Sequence, residues 1–169
     1  MASGIKVADS AKAIFEKMKV VKADESEGER KRLVTFTINN DECIDVCKII
    51  NQEDLGKDGV PEDAFKAFGT LLCDDSCCYI LYDCHYETQE GIKKEELIFG
   101  AWIPDTSGIK LKMKYASSKN AIKAMMKGLK HDLQMNDRAD YICRDAFAAC
   151  VEKNSPKIAK IEGVSVCGR

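Results

Sequence analysis

A row of lysines beside a narrow strip of small or apolar residues is the first pattern in this chain that could support binding chemistry. It falls between Leu97 and Gln134, where no acidic residue occurs from position 106 to 131. At about 100° per residue of a helix, the strip and the lysines share the side that faces away from a core. The strip comprises Met113, Ala116, Asn120 and Ala124, and the lysines are Lys112, Lys119, Lys123, Lys127 and Lys130.

Two interpretations of this surface remain open from the pattern alone. A solvated helix face normally mixes acids with bases, because oppositely charged neighbours at i,i+4 stabilise the helix. A basic face with an apolar strip instead suits docking into an apolar groove with an acidic rim. The alternative is an ordinary lysine face that keeps the protein soluble, with Met113 exposed without a partner.

Thiol chemistry is the next possibility, because the chain contains nine cysteines. Cys73 and Cys77 have the spacing of one zinc-binding pair, but no second pair follows at a suitable distance. Cys84 and His85 would point to opposite faces of a strand. We therefore predict no metal site, and expect the cysteines to fill a core as small apolar residues, with Cys167 exposed and oxidisable. A cytosolic protein that senses oxidation or binds metal through its thiols is the alternative of another class.

No catalytic set is apparent. The sequence contains none of the phosphate-binding glycine loops, zinc-protease helices or nucleophile elbows that signal common enzyme chemistry. Its two histidines, His85 and His131, have no obvious nucleophile beside them. We therefore expect a protein that is not an enzyme and needs no cofactor.

Length and charge favour a single soluble domain over residues 1–169. The net charge of −2 gives no general attraction to nucleic acid, and no apolar run reaches the roughly 18 residues that a membrane span needs. The start of the sequence lacks the apolar region of a signal peptide. We expect a cytosolic monomer without disulfides, because the cytosol keeps thiols reduced.

The hydrophobic periodicity predicts alternating helices and strands. A helix should begin near Asp9, a polar loop should cover residues 23–29, and Pro61 should open a second helix at its N1 position. The long lysine-rich helix should run to Gln134 on an apolar stripe that includes Leu129 and Leu133. Strands are predicted over 33–38, 43–50, 77–87, 92–103, 141–142 and 157–161, and a last helix over 144–153. This order indicates an α/β fold with a mixed sheet covered by helices.

Several literal stretches resemble the actin-depolymerising factor (ADF)/cofilin family. They are MASG at the start, CCYILYDCHYET over 77–88, KKEELIF over 93–99, W-x-P-D followed by K-x-K-M-x-YASSK and KHDLQ, and IEG near the end. They occur in the family's order along nearly the whole chain. The resemblance implies one ADF-homology domain, with a mixed five- to six-stranded sheet flanked by four or five helices.

The resemblance also implies actin, monomeric and filamentous, as the partner. In this family the long helix inserts between two actin subdomains, and the matching residues here are Lys110, Lys112 and Met113. Met113 would bury apolar surface, and the lysines would meet acidic groups. Ser118 and Lys119 are expected near the same contact, although Ser118 also fits the packed stripe. The N-terminal Ser3 and Gly4 complete this implied site.

Regulation is implied at two places. Ser3 matches the family's regulatory serine, on which a kinase and a phosphatase would act, and a phosphate there would repel an acidic partner surface. The residues matching the family's phosphoinositide-binding positions are Lys110, Lys112, Lys130 and His131. For Lys130, an ordinary basic helix end is an equally good interpretation.

Filament binding in the family uses a second site, matched here by Lys93, Lys94, Glu152 and Lys153. The last helix is poorer in charge than is usual in the family, so filament binding and severing are less strongly implied than monomer binding. A relative that sequesters monomers or binds a branch-junction complex is therefore the alternative.

Two departures from the family pattern bear on location and packing. The family's long basic nuclear-import run is reduced here to Arg30, Lys31 and Arg32, so the resemblance implies the cytoplasmic actin cytoskeleton and does not predict nuclear entry. Lys114 stands where the family usually has an aliphatic residue, and we expect its stem to lie along the core edge.

Overall fold

The computed structural model describes residues 4–19, 30–40, 42–154 and 157–166. Within these ranges the strands form one mixed sheet in the order β1-β3-β2-β4-β5-β6, and β7 and β8 extend it beside β4. The pairs β1–β3 and β5–β6 are parallel and the others are antiparallel. The strands are β1 Lys6–Val7, β2 Lys31–Asn39, β3 Cys43–Asn51, β4 Cys78–Thr88, β5 Lys93–Trp102, β6 His131–Met135, β7 Ile158–Ile161 and β8 Val164–Ser165.

Helices cover both faces of this sheet. On one face, α1 (Asp9–Lys19) and α3 (Ile109–Met125) bury residues such as Phe15 and Ile122 in a shared core. On the other face, α2 (Ala64–Thr70) and α4 (Arg144–Val151) contribute Phe68 and Phe147 to a second core. The predicted α/β fold with a mixed, helix-covered sheet is confirmed.

Strand β4 lies at the centre of this arrangement and is apolar on both faces. Tyr79 and Leu81 belong to the core under α1 and α3, whereas Ile80 and Tyr82 belong to the core under α2 and α4. All four are at most 1% exposed. The Tyr82 ring stacks on Phe68 with 5.2 Å between centroids. The sequence prediction of a central strand covered on both sides is therefore confirmed.

The largest error of the sequence analysis concerns the end of the lysine-rich helix. Helix α3 ends at Met125, and Gly128 follows with a φ of +87°, a left-handed conformation that glycine adopts at little cost. His131–Met135 then forms β6, parallel to β5, with buried residues at every second position. Leu129 and Leu133 are four residues apart, a spacing that also fits a helix. The alternation of buried and exposed residues from His131 to Met135 is instead that of a strand, which pairs with β5.

Smaller differences have similar causes. Asp63, not Pro61, determines the start of α2, because its carboxylate accepts the N–H of Phe65 at 3.0 Å. The predicted strand at 141–142 is absent from this described region; Tyr141 instead buries its ring and donates its hydroxyl to the carbonyl of Gln134. Helix α4 ends at Val151 and continues as a 3₁₀ turn over 152–154. The predicted loop at 23–29 lies outside the described residues.

Across the described ranges, no helix has both the length and the apolar character required to cross a bilayer.

Candidate functional site

Helix α3 is fixed to the sheet by one well-packed side. Tyr115, Ser118 and Ile122 are buried there, and the Tyr115 hydroxyl accepts the backbone N–H of Ile38 on β2 at 3.0 Å. Tyr79 on β4 donates its hydroxyl to the Tyr115 carbonyl. These contacts determine which side of α3 faces away from the protein.

The outward side of α3 carries an exposed apolar ridge. Ile109 is 73% exposed and Met113 is 68% exposed, one helical turn apart. We define the α3 ridge as Ile109, Met113, Ala116, Asn120 and Ala124, all of which are exposed. The four members that the sequence analysis placed on this strip do lie there. Ile109 was missed because the strip was counted from Met113, although its i,i+4 spacing to Met113 could have revealed it.

Two lysines flank the start of this ridge in an electrostatically unfavourable place. Lys110 is exposed and Lys112 is half-buried, both in the first turn of α3, and that turn contains no acid. The N-terminus of a helix carries partial positive charge, so cations there cost roughly 0.3–1 kcal/mol each. Two lysines and two large apolar side chains at this helix end are better suited to a partner surface than to the stability of the isolated protein.

The lysines further along α3 have an intramolecular partner. Asp132 on β6 contacts the Lys119 ammonium at 3.2 Å and also pairs with Lys123. Partial burial would raise the pKa of Asp132, but hydrogen bonds and charges from Lys123 and Lys119 outweigh it and lower that pKa below 3.8. The acid missing from the helical pattern is thus supplied by β6, and its single negative charge is shared between Lys119 and Lys123.

The other residues expected at the actin contact are Ser118, on the buried side of α3, and the N-terminal residues Ser3 and Gly4. Ser118 is 0% exposed. Its place on the apolar stripe of the sequence indicated a packing role, and its burial agrees with that role. Ser3 lies outside the described residues. Gly4 is exposed and precedes β1, and a cleft of about 690 Å³ between this N-terminal segment and α3 is lined by Ile5 and Ala124 among others. The N-terminal segment therefore lies beside the last residue of the α3 ridge, Ala124, at the end of the helix opposite to Met113.

The residues expected at a filament-specific site lie at the opposite end of the sheet. Lys93 and Lys94 begin β5 at the tip of the β4–β5 hairpin, whereas the far end of β5 leads into α3. Ten residues of strand separate the two ends by roughly 30 Å. Gln89 in the hairpin donates its N–H to the carbonyl of Lys157 at 3.0 Å, which places the hairpin tip beside the segment that follows α4.

That C-terminal segment supplies the other two expected residues. Lys153 is exposed, but the Glu152 carboxylate accepts the backbone N–H of Ile158 at 2.8 Å. Glu152 is therefore already engaged in holding the start of β7.

The four residues expected to bind phosphoinositides are not brought together. Lys110 and Lys112 lie at the start of α3 and Lys130 follows its end, and a 17-residue helix spans roughly 25 Å. Lys130 is exposed, with its ammonium 3.3 Å from Glu96. His131 is only 1% exposed, and its Nε2 lies 3.3 Å from the same carboxylate group. Lys130 is thus the accessible member at this end.

The short basic run at 30–32 is largely committed to intramolecular ion pairs. Arg32 is 2% exposed, pairs with Glu162 in the β7–β8 turn and donates to the backbone carbonyl of Asp83. Arg30 pairs with Asp83 through its Nε at 2.8 Å, and with Glu95. Two of the three residues that could form a nuclear-import signal are therefore part of a structural network.

Asp83 gives this network a predictable dependence on pH. Burial would raise the pKa of Asp83, but hydrogen bonds and charges from His85 and Arg30 outweigh it and hold that pKa below 3.8. Because the folded-state pKa is depressed, the stabilisation is present above the unfolded-state pKa and is lost as the pH falls through the folded-state value.

We therefore expect the free energy of unfolding to fall steeply with acidification between about pH 5 and pH 2. This fall is the acid limb of the plot of unfolding free energy against pH. Asp83→Asn should lower the free energy of unfolding at neutral pH and reduce the slope of the acid limb, as measured by urea unfolding at a series of pH values. The neighbouring charges are Arg30, Arg32, His85 and Glu95. Glu90→Gln, at an exposed loop position, is the matched control and should leave the limb unchanged. An acid limb of equal slope in Asp83→Asn would contradict the assignment.

The prediction that the cysteines fill the core is confirmed for two of the eight described cysteines and wrong for the three that are exposed. Cys77 and Cys84 are buried, and burial raises the pKa of Cys84 well above 9.0 and that of Cys78 to about 12. These thiols stay protonated at neutral pH and are poor nucleophiles. Cys47, Cys73 and Cys143 are exposed, and Cys167 lies outside the described residues. In the described part of the chain, no three His, Cys, Asp or Glu side chains are arranged to hold a metal ion.

Comparison with known proteins connects this geometry to a family. Residues 4–151 match the family described as cofilin/tropomyosin-type actin-binding protein. The chain belongs to the ADF/cofilin family. The match covers β1 through α4, and so includes the α3 ridge, its flanking lysines and the β4–β5 hairpin. Members of the ADF/cofilin family are actin-binding proteins associated with the actin cytoskeleton.

Solved ADF/cofilin structures have the same fold. Actin depolymerization factor 2 from Plasmodium berghei is 25% identical with a TM-score of 0.72, and the alignment covers 90% of this chain and 99% of that one. The ADF-like UNC-60A protein of Caenorhabditis elegans is 26% identical with a TM-score of 0.63, covering 83% and 90%. Human coactosin-like protein, at 15% identity and a TM-score of 0.64 over 88% and 98%, is similar in fold alone.

Proposed function

We propose that this protein binds actin monomers and filaments, severs and depolymerises filaments, and so drives actin turnover in the cytoplasm. The observation that carries the proposal is the exposure of large apolar side chains at the start of the α3 ridge, in a member of an actin-binding family. Met113 is 68% exposed there, and Lys110 and Lys112 flank it.

The residues at the α3 ridge have different roles in this proposal. Met113 and Ile109 insert into an apolar cleft of actin, and burying one such side chain contributes roughly 1.5–3 kcal/mol. Lys110 and Lys112 meet acidic groups at the rim of that cleft, and so orient the encounter and raise the association rate. Lys119 supports the contact from the next turns, and Ser118 positions the helix from the buried side.

Phosphorylation at Ser3 is the proposed control of this contact. The segment that begins at Ile5 lies beside Ala124, at the end of the α3 ridge. A phosphate on Ser3, two residues before Ile5, would add a dianion to a protein that meets acidic groups on actin, and would oppose binding by repulsion. A kinase and a phosphatase acting on Ser3 would then switch binding off and on. Phosphoinositide head groups are a second proposed regulator, with Lys110 and Lys112 at one end of α3 and Lys130, beside the buried His131, at the other.

Filament binding needs a second actin subunit to touch the protein. Lys93 and Lys94 lie at the end of the sheet opposite the start of α3, which suits simultaneous contact with two neighbouring subunits, and Lys153 is exposed in the turn that follows α4. Their contribution, and that of Glu152, is the part of the proposal that distinguishes filament severing from monomer binding.

Co-sedimentation with actin filaments and disassembly of pyrene-labelled filaments test the proposal. The wild-type protein should pellet with filaments and accelerate their disassembly, and it should also bind fluorescently labelled monomers. Failure to bind either form of actin would refute the proposed function, since the fold would then serve another partner.

Monomer sequestration is the second candidate function, and one observation favours it. The Glu152 carboxylate is engaged with the backbone of Ile158, so the second surface offers fewer charged groups than the sequence comparison implies. Binding to monomers without pelleting on filaments would select this candidate. A branch-junction complex is the remaining partner for the same fold, and pull-down with that complex would identify it.

A further inference from the structure

The first turn of α3 has little local support of its own. Gly108 occupies the N-cap position and offers no side-chain acceptor to the first N–H groups of the helix. Lys110 and Lys112 add positive charge to a helix end that already carries partial positive charge. Ile109 and Met113 are largely exposed, so burial contributes little to holding them in the free protein. This is nevertheless the turn that the proposed function places in the actin cleft.

The connection that leads from β5 into α3 is held by side chains outside the helix. The indole N–H of Trp102 donates to the Cys73 carbonyl at 2.7 Å, and the Thr106 hydroxyl donates to the Asp74 carbonyl. Both bonds join this connection to the one between α2 and β4. Trp102 is 1% exposed, whereas Thr106 lies at the surface. We define the clasp as Trp102, Thr106 and Ser107.

Ser107 completes the clasp from the interior. It is buried, and its N–H and its hydroxyl both donate to the Pro104 carbonyl, at 3.1 Å and 2.7 Å. Its Oγ also lies 3.5 Å from the Sγ of the buried Cys77. This tight turn, anchored in the protein, fixes the direction in which the chain enters α3 at Gly108.

We propose that Thr106 is a positioning residue for actin binding: through the clasp it orders the first turn of α3 before actin arrives. The effect on binding rests on the proposed function, whereas the order of the turn is a property of the free protein. A turn that is already ordered loses less conformational entropy on binding, so more of the contact free energy appears as affinity. Thr106 needs no contact with actin for this role.

Thr106→Val tests the clasp with little disturbance, because it removes only a hydroxyl donor at an exposed position. The Lys112 N–H makes the first helical bond, to the Gly108 carbonyl at 3.0 Å. Its hydrogen exchange with solvent, followed by NMR, should become about fivefold faster on loss of one hydrogen bond. Exchange of the amides of β4 should stay unchanged, and the Tm should remain within about 2 °C of the wild type.

Binding to labelled actin monomers should weaken with the loss of order. Without the clasp the uncapped first turn is open for much of the time, and the apparent affinity falls with the fraction of molecules in which it is formed. We expect a weakening of about threefold for Thr106→Val. Thr70→Val is the matched control, since Thr70 is also exposed and donates its hydroxyl to a backbone carbonyl, that of Ala67 at 2.6 Å. It should change neither the exchange of Lys112 nor actin binding.

A rescue variant separates positioning from direct contact with actin. A Cβ at Gly108 would meet no other atom within 4 Å, and its φ of −62° suits any residue. Gly108→Ser should therefore add a hydroxyl that caps the first N–H groups. In Thr106→Val/Gly108→Ser the exchange of Lys112 should slow again, and roughly half of the lost affinity should return. Gly108→Ser alone should bind actin at least as well as the wild type.

Unchanged exchange of Lys112 in Thr106→Val would overturn the inference, because the clasp would not order the turn. Faster exchange with wild-type affinity for monomers would also overturn it and leave the proposed function intact. Weaker binding that Gly108→Ser does not restore, although exchange slows, would mean that Thr106 contacts actin directly and would contradict the positioning role. A wild-type protein that binds no actin would refute the proposed function itself, and the inference with it.

Discussion

Replacing Lys110 and Lys112 together by alanine should weaken actin binding about 100-fold while slightly stabilising the folded protein. Each lysine at an acidic rim is expected to contribute roughly tenfold in affinity. The same two charges oppose the helix dipole in the first turn of α3, so that removing them should raise the free energy of unfolding by up to about 1 kcal/mol each. Binding and stability should therefore change in opposite directions.

Filament co-sedimentation, monomer binding and thermal unfolding of the same preparation measure both effects. Lys57→Ala/Lys66→Ala is the matched control, because it removes two exposed lysines from a loop and from α2, on the other face of the sheet. The control should bind as the wild type does. Wild-type binding by Lys110→Ala/Lys112→Ala would show that the start of α3 is not the actin-binding surface.

Arg32→Ala should lower the free energy of unfolding by roughly 3–5 kcal/mol, because it leaves a buried carboxylate without its cation. The Glu162 carboxylate that pairs with Arg32 also accepts the Tyr82 hydroxyl at 2.9 Å and the backbone N–H of His85 at 3.1 Å. Arg32 further donates to Gln52 at 2.7 Å. Its loss should therefore detach the β7–β8 turn from β2 and β4, and lower the Tm by roughly 10 °C.

Urea and thermal unfolding of Arg32→Ala beside Lys31→Ala check this expectation. Lys31 is the neighbouring basic residue and is only half-buried, so its replacement should cost less than about 1 kcal/mol. A double-mutant cycle with Glu162→Gln should give a coupling free energy of about 1–3 kcal/mol. Equal stabilities of Arg32→Ala and Lys31→Ala would mean that the ion pair with Glu162 contributes nothing to the folded state.

The helices and strands from α1 to β5, and the outward side of α3, could be predicted from the sequence. Local hydrophobic periodicity determines which side of a helix must be buried, and residues from Leu111 to Ile122 contain three clear turns of it. The exposure of Met113, Ala116, Asn120 and Ala124 follows from the same period. Strand β4 was equally predictable, because a strand covered on both faces is apolar at successive positions.

The sequence did not determine where α3 ends or which acid pairs with Lys119 and Lys123. The segment from Leu129 to Met135 satisfies helical spacing and strand alternation at once, and only pairing with β5, about thirty residues away along the chain, selects the strand. That strand then brings Asp132 to Lys119 and Lys123. Local pattern contains no information about such a contact, because the partner comes from another element.

The candidate site divides in the same way. The residue types around Met113, together with the family resemblance, were enough to predict an actin-binding surface at α3. The tertiary structure alone separated Lys110 from Lys130 by the length of a helix, buried Arg32 in an ion pair with Glu162, and joined Thr106 to the backbone of Asp74. Sequence determines these side chains and their local periodicity, whereas distances, burial and ion pairs depend on contacts between residues far apart in the chain.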